Sequence, residues 1–154
     1  MNIFADRKII ILGDRNGIPA PSIEMCLSEK LKTEVVLAAT ECFACTATGT
    51  ISPENQSCMK ELVEQYGKSK LLVLLGTSDE ETTGIVAETL VTGGPMETGP
   101  LSNVALGLTV YHVTEDAAKE NFTEDQYDEH VGILEMVLDV NALSEAVRRV
   151  RENG

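Results

Sequence analysis

Apolar residues fall along this chain in short runs separated by polar, helix-length stretches. The first run, KIIILG at 8–13, is a set of branched side chains closed by glycine, the pattern of a strand buried on both faces. DRNG then turns the chain, and Pro19, Pro21 and Ser22 mark a helix start. In the predicted helix SIEMCLSEKLK, Ile23, Cys26, Leu27 and Leu31 form one core-facing stripe. EVVLAAT at 34–40 predicts a second strand. Pro53 opens a second helix, PENQSCMKELVEQYG, with Met59, Leu62, Val63 and Tyr66 at helical spacing and Gly67 closing it.

LLVLLG at 71–76 predicts the third strand, and SDEETTGIVAETLVTGG a third helix with a serine cap, an acidic first turn and a glycine stop. A Pro/Gly-rich loop, PMETGPLSNVA, leads to a fourth strand, LGLTVYHV at 106–113. The remainder divides into YDEHVGILEMVLD and an amphipathic C-terminal helix, VNALSEAVRRVRE, with basic residues near its end. Strands alternating with helices predict an α/β fold: a three-layer α/β/α sandwich with a mainly parallel sheet, Rossmann-like or flavodoxin-like. Right-handed crossovers place the loops after the strands on one edge, where ligands and chemistry sit in such sheets. No linker, repeat or low-complexity segment divides the chain, so one domain over 1–154 is expected, with roughly 70% of the unfolded surface buried.

Charge narrows the functions available. Twenty-five acidic against twelve basic residues leave a formal charge of -13, which argues against nucleic acid or a membrane surface as partner. Such a surface keeps a protein soluble, and it also suits docking to a partner with a basic patch. The opening MNIFADRK lacks the apolar core of a signal peptide, no run reaches a membrane span, and four cysteines are too few for a disulfide scaffold. A reducing, cytoplasmic setting is the expectation, in which a Cys-x-x-Cys pair is more often catalytic or metal-binding than structural.

That pair, Cys42 and Cys45 in TECFACTATG, follows the second predicted strand. Zinc within the chain lacks a second ligand pair: Cys26 and Cys58 stand alone in helices, where free cysteine packs as a small apolar residue, and His112 and His130 are far apart. A metal shared between two chains stays open. GDRNGIP lacks the G-x-G-x-x-G spacing of a dinucleotide site and reads as a tight turn with Gly17 at positive φ, while Asp14 and Arg15 could line an active-site mouth. His112 reads as a satisfied core histidine before a catalytic base, and His130 as a solvated helix residue. On a tight loop, Cys42 and Cys45 can exchange a bond intramolecularly. With Glu41 adjacent and no clear cation nearby, an ordinary thiol there would be only a few per cent ionised at neutral pH.

IIILGDRNGIPAPSIEMCL, TECFACTATG, ENQ, GPLSNVALGLTVYHV and YDEHVGILEMVLDV together resemble protein A of the glycine/sarcosine/betaine reductase complex, in the same order over about 8–150. In that family the loop carries Cys-Phe-x-selenocysteine. The resemblance implies that Cys42 is the family's cysteine and that Cys45 stands where selenocysteine would be. Cys45 is then a natural cysteine form, a replacement, or selenocysteine written in the ordinary alphabet. Replacement is favoured here, with a Cys45 form weakly active or inactive.

The resemblance further implies an oxidoreductase subunit that acts as a redox-active carrier. Protein B, which holds the pyruvoyl group, passes a carboxymethyl group to residue 45. Cys42 resolves the adduct, the acetyl unit moves to protein C and leaves as acetyl phosphate, and thioredoxin reduces the resulting bridge. No cofactor or metal in this subunit is implied. The alternatives are a general thiol–disulfide oxidoreductase and a non-catalytic module whose cysteines hold an intersubunit metal.

Overall fold

The computed structural model describes residues 2–27, 31–45, 51–93, 100–101 and 104–153. Four strands, β1 (Lys8–Asp14), β2 (Glu34–Glu41), β3 (Leu71–Leu75) and β4 (Thr109–His112), form one sheet in the order β2-β1-β3-β4. Every pairing is parallel. β1 and β3 are central, and from Ile9 to Leu12 and Leu71 to Leu75 every side chain is fully buried, as unbroken apolar runs require. The β1–β2 register slips between Ile9 and Ile10, whose partners are Val35 and Leu37, so Val36 is an extra residue in the edge strand.

Helices cover both faces. Against one lie α2 (Pro53–Tyr66), α3 (Glu80–Val91) and α7 (Val140–Asn153), which bury Met59, Leu62, Val86, Leu90, Val147 and Val150 over Ile10, Leu12, Val73 and Leu75. The other face carries α1 (Ala20–Glu24), α4 (Asp116–Lys119), α5 (Glu124–Tyr127), a π-helical turn at Asp128–Gly132 and the short α6 (Ile133–Glu135). There Ile23, Cys26, Phe122, Tyr127 and Val131 pack on Ile9, Ile11, Leu72 and Leu74. The result is the expected three-layer α/β/α arrangement. Its strand order matches that of flavodoxin-like sheets, with a topological switch point between β1 and β3.

Several boundaries differ from the sequence reading. The first helix starts two residues early, at Ala20, and stops at Glu24; beyond it Lys32 sits at φ 50, a left-handed conformation that no helix accommodates. Residues 28–30 of that predicted helix lie outside the described residues. The fourth strand is shorter than 106–113 because Gly107, at φ 65, turns the backbone before it. Asp79 rather than Ser78 caps α3, its Oδ1 accepting from the Thr82 N–H at 2.8 Å. Much of the Pro/Gly-rich loop also lies outside the described residues. No helix among those described is long and apolar enough to cross a membrane.

Side chains close the β4 edge of the sheet. At β4, Glu115 accepts the His112 N–H at 2.8 Å while Arg151 donates to the Val110 carbonyl at 3.1 Å. The two side chains also form a bidentate ion pair, and the guanidinium lies over Tyr111. That strand edge is thereby satisfied by side chains, which blocks pairing with another chain.

Candidate active site

At the carboxyl end of β2 the chain tightens into a 3-10 turn, Phe43–Cys45, in which the Cys45 N–H donates to the Cys42 carbonyl at 3.0 Å. Phe43 is buried in the core that also holds Ile51 and Met59. With Phe43 anchored inward, Ala44 and Cys45 are exposed and Cys42 is half-buried. The two cysteines are joined as a disulfide, with Cα atoms 5.3 Å apart. In the reduced form this leaves one thiol open to an approaching molecule and a second, sheltered thiol within reach of it. Chemically, such an arrangement can serve a nucleophile and a resolving group.

The loop is clamped by residues from four segments. Glu41, the residue before Cys42, is buried, and its carboxylate accepts the Ser52 N–H and the Asn55 Nδ2 at 3.0 Å. Its carbonyl accepts the Arg15 N–H at 2.8 Å. One residue earlier, the Thr40 hydroxyl accepts the Ala20 N–H at 2.9 Å, which caps α1. At the loop's far end buried Gln56 donates to the Ile51 carbonyl at 2.6 Å and accepts the Leu101 N–H at 3.1 Å. The ENQ triplet thus supports the cysteine loop from the first turn of α2. The sequence carried no local signal for the Glu41 contacts, because their partners lie 11 and 14 residues away.

The loops after β1 and β3 meet at the switch point beside it. Asp14, 1% exposed, accepts the Asn16 N–H at 3.0 Å and the Ser78 N–H at 3.2 Å. It is an internal tie and not part of an open mouth, whereas Arg15 is exposed. Gly17 is not among the positive-φ glycines, a correction to the sequence reading. Its requirement is space: a Cβ there would lie 2.4 Å from the Gly76 carbonyl oxygen. Gly76 is equally confined, 2.2 Å from the Ile18 oxygen. Close-packed backbone therefore fills this part of the switch point.

The remaining candidates are structural. His112 is fully buried. Its Nε2–H donates to the Thr77 carbonyl at 2.9 Å, which leaves Nδ1 to accept from the Thr114 hydroxyl at 2.8 Å and the Thr114 N–H at 3.2 Å. Burial lowers its pKa to about 4, against a smaller raising effect of the Thr77 carbonyl. β4 stands three strand spacings, about 14 Å, from β2, so this neutral imidazole is no base for the cysteines. His130 lies in the π-helical turn, half-buried rather than solvated, with Nε2 3.8 Å from Glu129. Cys26 follows α1 instead of lying within it. Its thiol is buried and pushed up to about 11 by desolvation, which suppresses the thiolate. Cys58 is half-buried on α2, against the core. Among the described residues no group of three or more His, Cys, Asp or Glu side chains is placed to hold a metal ion.

The family described as "Glycine reductase complex selenoprotein A" matches residues 4–151. Curated relatives agree. A "Glycine/sarcosine/betaine reductase complex component A" from Clostridium botulinum type A is 46% identical over 151 residues, 98% of this chain and 95% of the relative. The component A of Symbiobacterium thermophilum is 47% identical over 146 residues, covering 95% and 94%. That of Carboxydothermus hydrogenoformans is 44% identical over 154 residues, covering 100% and 98%. No solved structure matches the chain. Matches of this extent, over both the core strands and the clamped cysteine loop, establish that the chain belongs to the selenoprotein A family of the glycine reductase complex.

Proposed function

We propose that this chain is the redox-active carrier of a glycine, sarcosine or betaine reductase, with residues 45 and 42 as its working pair. Residue 45, selenocysteine in the family pattern, takes a carboxymethyl group from component B by displacing ammonia or an amine from the two-carbon unit. Cys42 then attacks the selenium or sulfur of that adduct. A bond forms between residues 42 and 45, and the two-carbon unit, two electrons more reduced, passes to a cysteine of component C as an acetyl thioester, gaining a proton at its methyl carbon and losing one carboxylate oxygen as water. Phosphate releases it as acetyl phosphate, and a thioredoxin dithiol returns the two electrons.

The observation that carries this reading is the division of labour within the loop: exposed Cys45, sheltered Cys42, and a direct bond between them at the carboxyl edge of the sheet. The turn holds the resolving sulfur next to the adduct, so resolution is intramolecular and has a high effective concentration. The carrier role also accords with the acidic surface, which suits successive docking on basic patches. Among the described residues no cation is bonded to either cysteine, so activation of a thiol at position 45 has no charged helper there. A selenol at position 45 needs no such helper.

The test is reconstitution with components B and C, thioredoxin and phosphate, reading acetyl phosphate. The chain with selenocysteine at 45 should turn over many-fold faster than the Cys45 form. Cys42→Ser should stop product while adduct accumulates on residue 45. Equal product formation by Cys42→Ser would refute the assignment of Cys42. Reduction of generic disulfides at comparable rates without component B would favour a general thiol–disulfide oxidoreductase instead.

A further inference from the structure

We propose that Ile133, Met136 and Val137 form the surface by which this carrier docks on the protein that loads residue 45, entering an apolar pocket rimmed with lysine and arginine. This rests on the carrier reading above and deepens it. The stretch 127–138 is apolar on two sides. Tyr127, Val131, Leu134 and Leu138 pack on the core. Ile133, Met136 and Val137, interleaved with them, are 68%, 81% and 87% exposed. The Val137 N–H donates to the Leu134 carbonyl at 3.4 Å and the Leu138 N–H to the Glu135 carbonyl at 3.0 Å, so the tight turns continue past α6. Residues three and four apart on such turns are neighbours, which makes the three side chains one patch. Single exposed apolar residues are ordinary, whereas a group of them marks an interaction site. Among the described residues, this patch holds three of the four exposed large apolar side chains.

Charge selects the occupant. From Glu124 to Asp139 the sequence carries six carboxylates and no lysine or arginine. Asp128 and Glu129, about one turn before Ile133, and Asp139, two residues after Val137, are all exposed. They repel a second copy of this chain, with its formal charge of -13, and an anionic lipid surface, and they attract a basic rim. Position selects the step. Glu135 lies 3.8 Å from Lys119 of α4, and Val140 and Asn141 share a cavity with Thr114 and Asp116, just beyond the carboxyl end of β4. The patch is therefore at the same end of the parallel sheet as the cysteine loop, on strands about 14 Å apart. An interface of ordinary size, about 800 Å² per partner, spans that separation. A protein that delivers its bound two-carbon unit to exposed residue 45 must approach from this end.

The test is the initial rate at which component B places labelled carboxymethyl on residue 45, measured against carrier concentration. The double variant Met136→Ser, Val137→Ser should need about tenfold more carrier for half-maximal rate, with the maximal rate within about twofold of the parent protein. Glu129→Lys, which alters the rim alone, should raise the half-saturating concentration several-fold and weaken its dependence on salt. Reduction of the Cys42–Cys45 bridge by dithiothreitol should be unchanged in both, which shows the loop intact. An unchanged half-saturating concentration in the double variant overturns the proposal. So does a loss confined to transfer to component C or to thioredoxin, or a parent dimer in light scattering that the double variant converts to monomer. If component B fails to load the parent protein at all, the carrier reading falls instead.

Discussion

The Asp14 carboxylate accepts the backbone N–H of Ser78, 64 residues away, at 3.2 Å. Together with the Ile18 N–H, which donates to the Gly76 carbonyl at 2.9 Å, this contact ties the loop after β1 to the loop after β3, while the neighbouring Arg15 N–H reaches the carbonyl that precedes Cys42. The described part of the cysteine loop is therefore hydrogen-bonded to a closely packed backbone support.

Two glycine substitutions separate that support from ordinary helix stability. Gly17→Ala would drive a Cβ to 2.4 Å from the Gly76 oxygen, a backbone contact that cannot relax locally. A loss of about 1–3 kcal/mol is expected, typical of overpacking a rigid site. Gly84→Ala in α3 meets nothing within 4 Å and should add about 1 kcal/mol. Urea unfolding of the two variants measures both.

The edge of β4 gives a second contrast. Arg151→Ala removes the partner of Glu115, whose side chain is 8% exposed, and uncovers the Val110 carbonyl. Breaking such a pair costs about 3 kcal/mol, and the opened edge should promote association at high protein concentration. Arg148→Ala, which disrupts an exposed pair with Glu145, should cost well under 1 kcal/mol. Unfolding midpoints together with light scattering distinguish the two.

His112 sets an acid limit on stability. Its pKa falls from 6.5 to about 4 in the folded chain through burial. Below pH 6.5 the unfolded chain takes up a proton that the folded chain refuses until about pH 4. Stability therefore falls as pH drops through that window, by roughly 3 kcal/mol in total. In His112→Asn this component should disappear, flattening the dependence of the unfolding midpoint on pH between 4 and 6.5.

How far the sequence anticipates this structure depends on the range of the forces involved. KIIILG and LLVLLG announce central strands because burial on both faces demands unbroken apolar runs, and Pro53 and Gly67 bracket α2 by local backbone chemistry. The first helix is shorter than its apolar stripe suggests, since Ile23 and Cys26 reach the core from five helical residues and a turn. Cys42 and Cys45 stand out by spacing alone. Their clamp does not, because Glu41 beside a cysteine pair reads as an unhelpful charge until Ser52 and Asn55 are folded back onto it. Gly17 was legible as a constrained position, but its cause is the approach of Gly76, a contact between the loops after β1 and β3 that no local pattern encodes.

The central claim concerns residue 45 as the acceptor and Cys42 as the resolving group. Its most direct measurement is peptide mapping of the reduced protein after incubation with component B and isotopically labelled glycine, sarcosine or betaine. The account predicts a labelled carboxymethyl group on residue 45, persistent in Cys42→Ser. In the parent protein, once component C is added, a bridged loop peptide two hydrogens lighter than the dithiol should replace it. Label on Cys42, or on neither residue while acetyl phosphate still forms, would contradict it.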